Sequence, residues 1–184
     1  MRSIAVGLAL AVGVAAPAFA HLQPGAAAPL FSTKATLAGH EFMFSLADAL
    51  KKGPVVLYFY PAAFTPGCTI EAHDFAAAMP KFRALGATVI GVSMDGIKKL
   101  DRFSVTDCRK QFPVASDKSG AISKSYDAVL SGMLGYASRT SYVISPGDRI
   151  LYAYSAMDPS GHVGNTMHAV EQWDAAHKGS HGIY

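Results

Sequence analysis

A strand that leads directly into the start of a helix is the feature that most constrains how this chain folds. Residues 55–60 form an unbroken run of aliphatic and aromatic side chains with the length of a buried strand. Pro61 cannot continue a hydrogen-bonded ladder, so we expect the strand to end there. Thr65 then has the chemistry of a helix N-cap, and Pro66 suits the first helical position. The pattern therefore predicts a strand, a short loop and a helix.

This junction carries one of the two cysteines of the chain. Cys68 falls in the first turn of the predicted helix, where unpaired backbone amides and the positive end of the macrodipole favour a charged sulfur. The thiolate is the nucleophilic form of cysteine, whereas a free thiol with a pKa of about 8.5 is only about 3% ionised at neutral pH. The position therefore predicts a reactive cysteine.

Pro61, Thr65 and Cys68 form the pattern Pro-x-x-x-Thr-x-x-Cys, which resembles the active-site signature of the peroxiredoxins. The surrounding stretch, with Phe-Thr-Pro-Gly-Cys at its centre, is most similar to the bacterioferritin-comigratory (PrxQ) subgroup. The similarity covers about residues 30–173, through segments 91–95, 116–117 and 139–144. It implies a thioredoxin fold and a thiol peroxidase that reduces hydrogen peroxide and organic hydroperoxides without a cofactor.

The resemblance also implies roles for individual residues. Cys68 becomes a sulfenic acid, and the hydroxyl of Thr65 binds the peroxide. Arg139 stabilises the thiolate and the departing oxygen, while Pro61 shields the sulfur. Glu71, one helical turn after Cys68, is expected to orient Arg139. Plainer interpretations are an N-cap for Thr65, a solvated strand end for Arg139 and a surface position for Glu71.

The second cysteine leaves the recycling mechanism open. In the commonest subgroup pattern a second cysteine follows the first by five positions, but His73 stands there in this chain. Some members carry the resolving cysteine in a later helix, so the resemblance implies an intramolecular disulfide between Cys68 and Cys108. A one-Cys mechanism with an external thiol and a permanent structural disulfide are the alternatives.

The rest of the chain alternates between predicted strands and helices. Further strands are expected at residues 87–93, 113–116, 139–145 and 149–157, the last two joined by the turn residues Pro146-Gly147-Asp148. Helices are expected at about 68–85 with a kink at Pro80, 97–111 with Cys108 in its last turns, 120–129 and 163–177. This alternation predicts one α/β domain with a central mixed sheet and helices on both faces.

The N-terminal 20 residues have the pattern of a secretory signal peptide. Arg2 precedes an apolar stretch over residues 4–16, and Ala18-Phe19-Ala20 forms a small-residue cleavage site. We expect cleavage before His21, so that the domain of residues 21–184 is periplasmic or secreted. A retained membrane anchor is the alternative.

Composition narrows the expected partners. The chain has 16 Lys and Arg against 13 Asp and Glu, a formal charge of +3 without a basic stripe, which does not favour nucleic acid or anionic lipid. We therefore expect no nucleic-acid or membrane partner. We also expect a monomer, and the resemblance implies a peroxide substrate and a thiol reductant. The reductant is expected to be a thioredoxin-like protein or a small thiol.

Two other classes of function fit the sequence less well. A disulfide oxidoreductase needs Cys-x-x-Cys, but the third position after Cys68 is Glu71. An exported copper carrier could use His21 as its mature N-terminus, but the seven histidines are scattered without paired metal-ligand spacing. No metal site is therefore expected.

Overall fold

The computed structural model describes residues 21–132 and 135–177, so the predicted signal peptide lies outside the described residues. The strands are β1 (Ser32–Leu37), β2 (His40–Ser45), β3 (Val55–Phe59), β4 (Thr88–Ser93), β5 (Val114–Ser116), β6 (Thr140–Ile144) and β7 (Ile150–Ser155). The helices are α1 (Leu46–Leu50), α2 (Pro66–Ala84), α3 (Ile97–Thr106), α4 (Ala121–Ser125) and α5 (His162–His177), and a 3₁₀ turn spans Pro159–Gly161.

The strands form one mixed sheet in the order β2-β1-β5-β4-β3-β6-β7. β3 lies between β4, with which it is parallel, and β6, with which it is antiparallel. All five residues of β3 are buried, as expected for a strand covered on both faces. Its side chains alternate between two cores, with Val56 and Tyr58 in one and Leu57 and Phe59 in the other.

Helices cover both faces of the sheet, as the sequence predicts. On one face α2, α3 and α5 contribute Phe75, Phe103 and Val170 to the core that contains Tyr58. On the other face α1 contributes Leu46 and Leu50, and Ile122 of α4 packs against the same core. Among residues 21–132 and 135–177, no helix combines the length and the apolar character that crossing a bilayer requires.

The helix predicted over residues 97–111 ends earlier, at Thr106, so the expectation that Cys108 lies in its last turns was wrong. Arg109 and Lys110 adopt positive φ angles of 49° and 58°, a left-handed conformation that cannot continue a right-handed helix. The backbone N–H of Cys108 instead donates to the carbonyl of Phe103 at 3.0 Å and closes the helix end. Cys108 therefore lies in a turn directly after α3.

Other boundaries also differ from the prediction. The hairpin β1–β2 and the short helix α1 were missed, because four of the six residues of β2 are exposed and give no clear hydrophobic alternation. Helix α4 is shorter than predicted, and Asp127 just beyond it has a positive φ of 51°. Helix α2 continues through Pro80 to Ala84. The turn between β6 and β7 forms as predicted, with the Asp148 N–H donating to the Ser145 carbonyl at 3.1 Å.

Candidate active site

Pairing between β3 and β6 brings together two segments that are distant in the sequence. Phe59, the last residue of β3, pairs with Thr140, the first residue of β6. Arg139, which precedes β6, therefore lies beside the loop that leads from β3 into α2. Cys68 is the third residue of α2 and is only 2% exposed. The strand register thus places an arginine next to a buried sulfur at a helix start.

The guanidinium of Arg139 is held on three sides. Its Nη2 donates to Sγ of Cys68 at 3.4 Å, its Nη1 pairs with Oε2 of Glu71, and its Nε donates to the Met157 carbonyl at 3.0 Å. Burial acts to lower the pKa of Arg139, but Glu71 and Cys68 outweigh it and raise that pKa above the ordinary value. The side chain therefore remains a fixed positive charge at the sulfur.

Glu71 is fully buried, so the surface position considered for it was wrong. Burial raises the pKa of Glu71 to about 8, although the charge of Arg139 acts in the opposite direction. The pair with Arg139 accounts for only one carboxylate oxygen, because Oε1 has no hydrogen-bond partner among the described residues. Glu71 thus fixes the orientation of Arg139 and keeps one oxygen unsatisfied.

Gly67 leaves the space that Arg139 occupies. A Cβ atom at this position would lie 3.0 Å from Nη2 of Arg139, which is closer than side chains normally approach. A larger residue would therefore displace the guanidinium from the sulfur. The sequence shows the glycine, but only the long-range packing explains it.

The loop before α2 carries the other two predicted residues. Pro61 is half-buried directly after β3, and Thr65 is exposed at the N-cap position. Thr65 makes no side-chain capping bond to α2, and its Oγ1 donates instead to the Ala62 carbonyl at 2.9 Å. Phe64 adopts a positive φ of 67° and packs edge-on against Phe103, with ring centroids 5.3 Å apart. The hydroxyl of Thr65 therefore lies at the open side of the site.

Asp95 holds this loop in place and was not assigned a role from the sequence. Its Oδ2 accepts hydrogen bonds from the Ala63 N–H at 2.7 Å and from the Ser93 hydroxyl at 3.1 Å, while its Oδ1 pairs with Lys99 at 2.7 Å. A carboxylate two positions after a buried strand was the available signal. The contact to Ala63, 32 positions away, could not be read from it.

His162 was also missed. It is fully buried at the first position of α5, and its Nδ1 lies 3.6 Å from Oε1 of Glu71. A single histidine at the start of a helix gives no signal of such a contact. The polar groups behind the sulfur therefore extend beyond the residues that the sequence predicts.

Cys108 lies in the same core as Cys68, and both are free thiols in this structure. Burial, with a smaller effect of Asp107, raises the pKa of Cys108 well above its usual value. Oδ1 of Asp107 accepts a hydrogen bond from the hydroxyl of Thr69 at 2.7 Å. This bond connects the residue after Cys68 to the residue before Cys108.

Within the described ranges, 21–132 and 135–177, no group of three His, Cys, Asp or Glu side chains is arranged to hold a metal ion. His21, the residue considered for copper, has its Nδ1 3.2 Å from the side-chain amide of Gln23.

Comparison with known proteins places the chain in a family. Residues 24–153 match the AhpC/TSA family. Peroxiredoxin Bcp of Xanthomonas campestris pv. campestris is 34% identical over 125 residues, which cover 64% of this chain and 76% of that protein. The chain is a peroxiredoxin. The subgroup and the enzyme class that the sequence predicts, a thiol peroxidase of the bacterioferritin-comigratory type, are thereby confirmed.

Solved structures agree with this assignment. The BcpB peroxidoxin of Mycobacterium tuberculosis is 29% identical, with a TM-score of 0.75 over 83% of this chain and 98% of that chain. The X. campestris bacterioferritin comigratory protein, studied for its alkyl peroxide reduction activity, is 28% identical, with a TM-score of 0.66 over 77% of this chain and 91% of that chain. The peroxiredoxin thus has the predicted thioredoxin fold.

Proposed function

We propose that Cys68 is the peroxide-reactive cysteine of this peroxiredoxin and that Thr65, Arg139, Pro61 and Glu71 complete its site. The observation that carries the proposal is the 3.4 Å contact between Nη2 of Arg139 and Sγ of Cys68 in the first turn of α2. Both the arginine and the helix start favour negative charge on the sulfur.

The reaction transfers one oxygen atom to Cys68. The thiolate attacks a peroxide oxygen, so that a sulfur–oxygen bond forms while the oxygen–oxygen bond breaks. The sulfur loses two electrons, and the departing oxygen takes up a proton and leaves as water or an alcohol. Arg139 offers positive charge where the leaving oxygen becomes negative, and the hydroxyl of Thr65 turns from the Ala62 carbonyl to hold the peroxide.

The substrates are hydrogen peroxide and organic hydroperoxides. The alkyl peroxide reduction activity of the X. campestris relative supports the second class. The exposed side of the site also suits an organic group, because Phe64 is 44% exposed beside Thr65. Comparing the rate constants for hydrogen peroxide and an alkyl hydroperoxide in wild type and Phe64→Ser tests this point. A larger loss for the alkyl hydroperoxide is expected, and equal losses would contradict a role for Phe64.

One experiment tests the assignment of the nucleophile. After one equivalent of hydrogen peroxide, the intact mass of Cys108→Ser should rise by one oxygen atom, and Cys68→Ser should be unchanged. Cys108→Ser is the matched control, because it removes the other buried thiol of the same core. Peroxide consumption by Cys68→Ser above a few per cent of the wild-type rate would refute the role of Cys68.

Cys108 resolves the sulfenic acid. Its thiolate attacks the sulfur of Cys68, so that a sulfur–sulfur bond forms while the sulfur–oxygen bond breaks, and the departing hydroxide takes up a proton and leaves as water. In the folded state burial raises the pKa of Cys108 and keeps it protonated, and the bond from Thr69 to Asp107 holds both segments in place. Resolution therefore requires residues 64–71 and 106–110 to open locally, at element ends where opening costs least. The left-handed backbone at Arg109 and Lys110 adds strain to the second segment.

A thioredoxin-like protein or a small thiol then reduces the disulfide. Peptide mapping without reductant should recover a peptide that joins Cys68 and Cys108. If no such peptide forms and Cys108→Ser turns over repeatedly with the same reductant as wild type, a one-Cys mechanism with an external thiol replaces this one.

The peroxiredoxin acts outside the cytoplasm, as a monomer. Support for export comes from the apolar stretch and the Ala-Phe-Ala site before His21. N-terminal sequencing of the protein from its native host should begin at His21, and a start at Met1 would refute export. Size-exclusion chromatography with light scattering measures the molar mass in solution and so tests whether the protein is a monomer.

A further inference from the structure

The third contact of the Arg139 guanidinium is with a segment at the protein surface. Its Nε donates to the carbonyl oxygen of Met157 at 3.0 Å, in the loop between β7 and the 3₁₀ turn. Met157 is 53% exposed, and Asp158 after it is exposed as well. Side-chain packing therefore does little to hold this carbonyl, and its position depends on the backbone hydrogen bonds of the segment.

Ala156, directly before Met157, makes these backbone bonds. Its N–H donates to the backbone carbonyl of Arg139 at 3.2 Å. Its own carbonyl oxygen lies 2.9 Å from Nε2 of His162, which is fully buried at the first position of α5. Ala156 and Met157 thus contact both the backbone and the side chain of Arg139, and His162 attaches them to α5.

The contacts of His162 define which ring nitrogen donates. A carbonyl oxygen can only accept, so the nitrogen facing Ala156, Nε2, carries the proton. Burial lowers the pKa of His162, so at neutral pH the ring is neutral and Nδ1 is an acceptor. The hydroxyl of Ser141 lies 2.8 Å from Nδ1 and donates to it. Ser141 thereby fixes the tautomer that the Ala156 carbonyl needs.

The sheet holds this imidazole in one orientation. Ser141 follows Arg139 by two positions, so the two side chains point to the same face of the sheet. Tyr154 of β7 pairs with Ser141 and packs its ring edge-on against His162, with ring centroids 4.8 Å apart. A Cβ atom at Gly161 would lie 2.5 Å from the hydroxyl oxygen of Tyr154, so the glycine leaves the space that this ring needs.

We infer that His162 is a positioning residue for the peroxide reaction. Its Nε2–H fixes the Ala156 carbonyl and with it the carbonyl of Met157. The Met157 oxygen in turn sets the angle at which the guanidinium of Arg139 faces the sulfur of Cys68. The inference rests on the proposed roles of Cys68 and Arg139.

The shape of the guanidinium explains why this bond matters. The group is a rigid plane, so the bond at Nε and the contact of Nη2 with Sγ of Cys68 at 3.4 Å change together. When the Met157 carbonyl moves, the plane turns and its positive charge leaves the sulfur and the departing oxygen. A misplacement of this kind, caused away from the reacting atoms, lowers a rate without removing any catalytic group.

Two amide substitutions separate the two ring nitrogens. The amide nitrogen of His162→Gln lies as far along the side chain as Nε2 and can still donate to Ala156. The shorter side chain of His162→Asn reaches only the position of Nδ1, beside Ser141. Both variants bury one uncharged amide, so the comparison isolates the donor to the Ala156 carbonyl.

Single-turnover oxidation by hydrogen peroxide in the Cys108→Ser background gives the kinetic test. His162→Asn should form sulfenic acid at Cys68 about tenfold more slowly than His162→Gln. The loss is smaller than that expected for removal of Arg139, because the other two contacts of the guanidinium remain. Equal rates for the two amide variants would overturn the inference.

NMR of protein labelled with ¹⁵N at the arginine Nε gives a readout that stability alone does not move. The Nε–H of Arg139 is buried and bonded to Met157, so it should give a slowly exchanging signal that Arg139→Lys lacks. We expect the same signal in His162→Gln and a shifted, faster-exchanging one in His162→Asn. An unchanged signal in His162→Asn would overturn the inference. The other described arginines are exposed: Arg83, Arg102, Arg109 and Arg149.

The tautomer of His162 is measured in wild type, so this test needs no variant. Among the described residues His162 is the one fully buried histidine. Long-range ¹H–¹⁵N spectra should show a buried neutral ring with its proton on Nε2, and a proton on Nδ1 would overturn the inference. His168→Asn is the matched control, because His168 is exposed on the same helix and its replacement should change neither the arginine signal nor the rate.

Failure of the inference and failure of the proposed function give different results. No oxidation of Cys68 in Cys108→Ser would overturn the proposed nucleophile and this inference together. Normal oxidation of Cys68 with equal rates for His162→Asn and His162→Gln would overturn the positioning role alone.

Discussion

Replacing Arg139 by methionine should slow the reaction of Cys68 with hydrogen peroxide by about a hundredfold or more. Nη2 of Arg139 lies 3.4 Å from Sγ of Cys68. At an effective dielectric constant of about 20, unit charges at this distance attract each other by about 5 kcal/mol. Because the guanidinium also pairs with Glu71, only part of this attraction stabilises negative charge on the sulfur. A loss of about 2.7 kcal/mol, which is roughly half of this attraction, corresponds to a hundredfold lower rate constant. This is the usual effect of removing one transition-state donor.

The same substitution leaves the carboxyl group of Glu71 buried without its partner. Leaving a buried polar group without its hydrogen-bond partner typically destabilises a protein by about 1–3 kcal/mol, which could reduce the rate through unfolding. Arg139→Met is therefore measured together with the double variant Arg139→Met/Glu71→Gln, which carries no buried unpaired charge. Both should show the kinetic loss, whereas the double variant should regain much of the lost stability.

Single-turnover oxidation in the Cys108→Ser background measures the rate, with Cys68 sulfenic acid quantified by mass after rapid quenching. Arg149→Met is the control, because Arg149 is exposed in the turn before β7 and lies outside the site. Arg149→Met in the Cys108→Ser background should react with peroxide as fast as Cys108→Ser alone. If folded Arg139→Met reacts as fast as Arg149→Met, the electrostatic role of Arg139 is wrong.

Three further predictions concern neighbouring residues. Thr65→Val should slow peroxide reduction by about a hundredfold, while Thr65→Ser keeps the hydroxyl and most of the rate; equal rates for the two variants would remove Thr65 from the mechanism. Thr69→Val breaks the bond to Asp107 and should speed disulfide formation about tenfold, unlike Thr69→Ser, and an unchanged rate would show that this bond does not limit opening. The pKa of Glu71 rises from 4.5 to about 8 on folding, so the folded state holds an extra proton between these values and stability should fall as pH rises from about 4.5 to 8. Urea unfolding of wild type against Glu71→Gln measures this difference, and a constant difference across that range would contradict it.

Short-range patterns were sufficient for much of the fold. The apolar run of β3, Pro61 after it and Pro66 at the first position of α2 act through backbone geometry and local burial, so the strand, loop and helix could be predicted. The same patterns were insufficient where tertiary contacts dominate. Helix α3 ends before Cys108, and Arg109 and Lys110 after it adopt left-handed conformations. Neither residue is a glycine or an asparagine, so the sequence does not signal this helix end.

The prediction that Cys68 is the reactive thiol follows from short-range sequence alone, because the position of this residue at a helix start depends only on its immediate neighbours. Tertiary structure decided what surrounds the sulfur. Arg139 reaches it from 71 positions away, and this contact depends on the register between β3 and β6. His162 meets Glu71 only because α5 packs against α2. Such contacts arise from the packing of whole elements, and the identity of one residue in the chain does not encode them.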